Sequence, residues 1–217
     1  MSFPIRLKNQ EIKTPKGHAF EVPTEALQKL IESELSSLKE WPAKVSHKTA
    51  TSLALSALDR VSDFRIQVIE ELLRDLSSDQ IILWADEPDT LVQLQNEIWL
   101  PLIHQFNDKF KTSLKPSISL FPEAIQKDEV DGVRNYLASL DDFMLTGLSH
   151  LADLTHSPIL AILGFESKMT ADQIFSIAQL HESHQRQKWG EDVLALEREG
   201  EIKIEVAETL NFLCALS

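Results

Sequence analysis

Apolar and polar residues alternate with a period of two in only one stretch of the chain, residues 3–22. Ile5 and Leu7 alternate with Arg6 and Lys8, Asn9-Gln10 offers a turn, and Glu11-Ile12-Lys13-Thr14 runs into the turn sequence Pro15-Lys16-Gly17 before Ala19-Phe20-Glu21-Val22. This predicts a small β meander. Pro23-Thr24 ends it, and Thr24 is placed to cap a helix from Glu25 to about Leu38 with Ala26, Leu27, Leu30, Ile31 and Leu35 as its apolar stripe. From there on the period is helical. Helices are predicted over Thr51–Leu58 and Asp63–Leu76, the second turning Phe64, Val68, Ile69, Leu72 and Leu73 inward. Gln80-Ile81-Ile82-Leu83-Trp84 is an apolar run of strand length that serves equally as an extended connector. Asp89 to about Lys111 reads as a helix with Leu91, Leu94, Gln95, Ile98, Leu102 and Phe106 in step, which Pro101 is expected to kink or divide after Trp99. Leu114–Leu120 reads as an extended linker, and helices resume over Lys127–Leu140, Asp142–Leu154 and Pro158–Leu163. Loops fall around Trp41-Pro42, Asp86-Glu87-Pro88, Lys115-Pro116 to Pro122, and Ser157-Pro158.

The last helical pattern differs from the others. Thr170 stands as its N-cap, it runs to about Arg198, and Gly200 is the expected stop. At about 100° per residue, Ile174, Ala178, Glu182, Gln185, Trp189, Asp192 and Leu196 share one side of it. A carboxylate and an amide beside an indole on an otherwise apolar stripe need partners. The fold class expected is α+β: a small β meander domain over residues 1–23, then a mainly helical domain over 24–217 that contains this signature helix near 171–198.

Composition narrows what such a chain does. Its 217 residues are 43% hydrophobic, enough for a real core. Acidic residues outnumber basic ones by 34 to 21, giving a net charge of −13, so the average field repels phosphate backbones and anionic membranes. Neither nucleic acid nor membrane insertion is expected. The start, Met-Ser-Phe-Pro-Ile-Arg, lacks a signal-peptide core or an organelle presequence bias, which predicts a cytoplasmic, bacterial protein, or a matrix protein if the source is eukaryotic. The single cysteine, Cys214, forms no internal disulfide and is expected as a small core residue of the last helix. The six glycines are isolated, so neither a dinucleotide fingerprint nor a phosphate-cradling loop can be written, and no cofactor is expected. Ser36-Ser37-Leu38-Lys39 fits a nucleophile pattern only formally and reads better as a frayed helix end. His181 and His184 are three apart where a zinc helix needs four, and His150 and His156 are placed on separate helices.

The succession Leu180-x-Glu182-x-x-Gln185-x-Gln187-Lys188-Trp189-Gly190 resembles the signature helix of the ATP12-type assembly chaperones that protect the α subunit of F-type ATP synthase. Further fragments recur in order: Thr14-Pro15-x-Gly17, Val22-Pro23-Thr24 followed by Leu27, Glu87-Pro88, Gln95-x-x-x-Trp99-x-Pro101-Leu102, and Leu151-x-x-Leu154-x-x-Ser157. The resemblance spans essentially the whole chain. It implies a non-enzymatic monomer that binds newly made α subunit before it meets β and keeps it from aggregating. The residues it carries over as client-binding or domain-interface positions are Glu182, Gln185, Trp189, Gly190 and Asp192, with Gln95, Trp99 and Pro101. Trp189 would be the flat anchor, Glu182 and Gln185 the orienting groups, and Gly190 the gap for another backbone. The same residues would serve equally to hold two parts of the chain together.

The chain departs from that pattern in three places. Leu35 follows Glu34 where the family has Trp, which suggests a lost exposed aromatic; the segment before Phe3 is short; and His181 stands where an acidic residue is expected. Two other readings are open, an acidic adaptor for a basic partner and a metal-dependent hydrolase built on Glu182, His181 and His184.

Overall fold

Phe3 pairs with Val22 and Pro4 with Glu21, so β1 (Phe3–Pro4) closes antiparallel on β4 (Glu21–Val22). Between them β2 (Arg6–Leu7) and β3 (Gln10–Glu11) form a hairpin whose turn residues Lys8 and Asn9 both take positive φ. A second turn follows, where Gly17, at φ 89°, donates its N–H to the Thr14 carbonyl at 2.8 Å and Lys13 bridges Ala19. Only glycine adopts that φ freely. The computed structural model describes residues 2–38, 40–41, 49–119, 125–189 and 193–217, without the side chains of 187–189 and 193–195. The expectations for Pro42, Leu120, Pro122, Gly190 and Asp192 lie outside the described residues. The fold is α+β, a small N-terminal β unit followed by a larger helical part.

Helix α1 (Glu25–Leu35) starts where expected, the Thr24 hydroxyl accepting from Leu27 N–H at 3.1 Å. Its polar side chains complete the β unit: Gln28 donates to the Pro4 carbonyl at 2.7 Å and Glu32 accepts from Arg6 N–H at 3.0 Å. Leu27, Ile31 and Leu35 face the core, and Leu35 is 1% exposed. It therefore does not stand in for a surface aromatic. The neighbouring Glu34 caps α2 (Ala50–Ser56), accepting from Ala50 N–H at 2.9 Å and Thr51 N–H at 2.8 Å. Trp41 covers Phe20 with ring centroids 6.0 Å apart and donates its indole N–H to the Lys13 carbonyl.

The two helices expected over 51–76 are one run. A π-helical turn, Ala57–Val61, joins α2 to α3 (Ser62–Asp75), and Phe64 leaves helical geometry at φ −120°, ψ 23°. Phe64 is 49% exposed rather than inward. The wider turn carries Asp59 to the β unit, where its carboxylate accepts from Thr14 Oγ1 at 2.6 Å and Lys16 N–H at 3.3 Å and meets His18 Nδ1 at 3.0 Å. Lys16 adds an ion pair to Asp63 at 3.2 Å. Residues 80–84 resolve as a connector: Leu83 makes a single parallel bridge to Ser117, around which Trp84 N–H donates to the Ser117 carbonyl at 2.8 Å.

Helix α4 (Asp89–Phe110) runs through Pro101 as one element, with Pro101 on its exposed side, so the expected division is absent. A short 3-10 turn leads into α5 (Asp131–Ser139), then α6 (Asp142–Thr155) and α7 (Pro158–Glu166). His150 lies in α6 and His156 is that helix's C-cap, so the two share an element, contrary to expectation. The last part of the chain is three helices instead of one: α8 (Ala171–Ala178), α9 (Leu180–Trp189) and α10 (Val193–Cys214). Gly200 lies inside α10 and does not stop it. Cys214 is exposed at the helix end, not in the core. Among the described residues one apolar core runs from Ile5, Phe20 and Val22 through Leu27, Trp99 and Leu151 to Phe212 and Leu213. Gly147 lets α10 close on α6, since a Cβ there would lie 2.5 Å from Leu213 Cδ2. No described helix is long and apolar enough to cross a membrane.

Candidate functional site

The buried stripe of α4 places two polar side chains, Gln95 and Trp99, where only internal partners are available, both at 0% exposure. Gln95 uses its amide as a length of backbone. Its Oε1 accepts from Ala85 N–H at 2.8 Å and its Nε2 donates to the Ala85 carbonyl at 2.9 Å, pinning the connector before α4. The same Oε1 meets His181 Nε2 at 2.8 Å, and because an amide oxygen only accepts, that ring nitrogen carries the proton. Trp99 donates its indole N–H to the Ile177 carbonyl at 3.0 Å and lies 4.6 Å, centroid to centroid, from the His181 ring. These contacts fix α8 and α9 against α4.

They also explain the break between α8 and α9. The Ile177 carbonyl accepts from Trp99, and the Ala178 carbonyl accepts from Gln80 Nε2 at 2.6 Å. Two carbonyls that would serve the next helical turn are turned to tertiary donors, and Gln179 takes φ −91°, ψ 22°. Thr170 caps α8 as the sequence predicts, and Gln173 completes a capping box, its Oε1 accepting from Thr170 N–H at 2.8 Å. Because of the break, the stripe expected from Ile174 to Leu196 is not one face: Ile174 and Ala178 are buried, whereas Glu182 and Gln185 are exposed on α9.

On α9, His181 is half-buried, and burial lowers its pKa, with His184 adding to the depression and Glu182 opposing it. A neutral imidazole matches its donor role toward Gln95. His184 turns to Thr90 Oγ1 at 3.0 Å, tying α9 to the start of α4 a second time. Arg186 pairs with Glu199 at 2.5 Å and links α9 to α10. The two histidines are thus held apart by separate partners, and among the described residues no group of three His, Cys, Asp or Glu side chains stands close enough to hold a metal ion. Trp189 belongs to α9 through its backbone; its side chain, with Gly190 and Asp192, lies outside the described residues. Pro101 is exposed on α4 and joins none of these contacts.

A second buried polar junction had no sequence signal. Asp79 is 0% exposed and accepts from Ile81 N–H and from Ile159 N–H, each at 2.9 Å, the latter in the first turn of α7. Burial raises its carboxyl to about 7 against the pull of these donors and of Ser157. A lone Asp ahead of an apolar run looks like a loop residue until α7 folds over it.

The fold and the junction of Gln95, Trp99 and His181 define a two-part α+β protein in which a short polar helix is fastened to α4 by buried groups and offers its other side to solvent. The family model described as "ATP12 chaperone protein" matches residues 1–107. The crystal structure of Atp12 from Paracoccus denitrificans superposes with a TM-score of 0.88 at 25% identity, covering 99% of this chain and 91% of that one, and a point mutant of the same protein gives the same values. A provisionally assigned chaperone from Agrobacterium tumefaciens, at 24% identity, a TM-score of 0.89 and coverage of 100% and 84%, shares the fold. The chain thus matches the ATP12 chaperone family model over its first 107 residues and shares the fold of Atp12 along nearly its whole length.

Proposed function

We propose that this chain is a non-enzymatic assembly chaperone that binds the unassembled α subunit of F-type ATP synthase and keeps it from aggregating until β takes its place. The match to the ATP12 chaperone family model and the shared fold of Atp12 support the chaperone class, and the resemblance of the signature helix supports the client. One structural observation carries the site: on α9, His181 and His184 are tied to α4, while Glu182 and Gln185 stand exposed on the same short helix. A rigid helix with a free carboxylate and amide can orient a partner without paying again to order itself. Gln95 and Trp99 act here as the fastening, not as client contacts. Pro101, exposed on α4, is left to the client side.

The experiment is light scattering of purified α subunit diluted from denaturant, with and without this chain, and with β subunit as the control client. Suppression for α and not for β is the expected result. Equal suppression of both makes the protein a general holdase, and suppression of neither by folded protein overturns the reading.

A further inference from the structure

The seam between α3 and α6 is a groove that the contacts above leave unused. Three depressions of about 300, 330 and 270 Å³ join end to end along it. The first and second share Arg60, Val68 and Glu71, and the second and third share Asp75 and Asp153. Phe64 marks one end and Pro158 the other. Along α3 alone, Phe64 to Asp75 spans roughly 16 Å, the length of about five residues of extended chain.

Its lining is apolar below and charged above. Leu53, Val61, Val68 and Leu72 form the floor, each 5–6% exposed, and Phe64 adds a half-exposed ring at the mouth. Phe64 is held outward because the π-helical turn before it leaves it outside helical geometry. On the rim, Arg74 bears on Asp75, and His150 and, more weakly, Arg60 bear on Asp153, but Glu71 makes no ion pair among the described residues. Glu71 bears on both Asp75 and Asp153, and Asp75 on Asp153. Burial, with the neighbouring carboxylates, raises both aspartates against the pull of Arg74 on Asp75 and of His150 and Arg60 on Asp153. The lining sets the carboxylates of Glu71, Asp75 and Asp153 against the guanidinium groups of Arg60 and Arg74, which leaves room for an added cation. His150 also pairs with Glu205 at 3.1 Å.

We propose that this seam docks an extended segment of the protein client in which a lysine or arginine stands beside a large apolar side chain. A second copy of the chain fits poorly, because at net charge −13 it brings more carboxylate than cation to a rim already in carboxylate excess. The proposal rests on the reading of the protein as a chaperone with a protein client.

The test uses the full chain carrying Phe64→Trp, whose indole reports groove occupancy, and three labelled pentapeptides: Leu-Lys-Leu-Arg-Phe, the same with glutamate for both cations, and the same with serine for both. Calorimetry on the unaltered chain repeats each titration without the reporter. The cationic peptide is expected to shift the emission and to bind at least tenfold more tightly than the acidic one, with affinity falling as salt rises. Glu71→Lys with Asp153→Lys should weaken it by about tenfold or more; the neutral pair Glu71→Gln with Asp153→Asn, for which melting curves check the fold, should act in the same direction. No binding, equal binding of cationic and acidic peptides, or affinity unmoved by both pairs overturns the proposal. Suppression of α aggregation without peptide binding removes the groove and leaves the chaperone reading, whereas peptide binding without suppression does the reverse.

Discussion

His181 Nε2 stands 2.8 Å from Gln95 Oε1, and the same oxygen accepts from Ala85 N–H at 2.8 Å, so one buried amide joins the connector, α4 and α9. Gln95→Leu keeps the volume near and removes both functions. It leaves the Ala85 N–H and carbonyl and the imidazole N–H without partners, which predicts a loss of about 1–3 kcal/mol. Urea unfolding measures the loss, and hydrogen exchange should show α9 opening before α4. A stability within error of wild type would mean that water replaces the amide at no cost.

The half-buried His181 and the buried Asp79 give stability opposite pH dependences. Burial lowers the His181 pKa, so the folded chain binds that proton less readily than the unfolded chain, and stability is lost as pH falls below about 6.5. Asp79 is raised from 3.8 to about 7, so its contribution is fully present below about pH 4 and is lost as pH rises through 7. Relative to wild type, His181→Gln should therefore gain as pH falls from 7 to 5, and the deficit of Asp79→Asn should shrink as pH rises from 5 to 8. Urea midpoints at four pH values decide both; a constant offset in either series refutes the corresponding assignment.

Leu35 is 1% exposed between Ile31 and the core, while Glu34 beside it caps α2. Placing the family's Trp there, Leu35→Trp, should overpack the site and cost about 1–3 kcal/mol rather than add a client contact. Thermal melts and α-subunit suppression, measured on the same sample, separate the two. A gain in suppression with unchanged melting would show that the indole reaches the surface.

What the sequence made legible was local. Thr24 and Thr170 announce their helices because a cap needs only the next three residues. The β meander and the α4 stripe were visible for the same reason. What failed depends on distant groups. Nothing near Gln179 breaks a helix; the break comes from Trp99 and Gln80 taking the Ile177 and Ala178 carbonyls. Gly200 looked like a stop, but α10 continues past it, and a Cβ there would meet nothing within 4 Å. Asp79 gave no signal and Phe64 was expected inward, because their surroundings are set by α7 and by a π-helical turn that no short pattern encodes. Of the site, Gln95 and Trp99 were found but their role was left open until their partners could be seen.

The fastening residues and the proposed client face can be separated on α9. Glu182 is exposed, so Glu182→Lys should leave stability within about 0.5 kcal/mol of wild type. It should still abolish most of the suppression of α aggregation, because a reversed charge on an interface opposes the partner's group as well as losing the original one. Trp99→Phe is the converse: the ring remains, the Ile177 carbonyl loses its donor, and stability drops by about 1 kcal/mol, while suppression per folded molecule is kept. Glu182 supports the charged form of His181, so Glu182→Lys should also lower the imidazole pKa further, which NMR titration reads independently of any client. If Glu182→Lys moves that titration yet leaves suppression intact, α9 is folded as described and the client binds elsewhere.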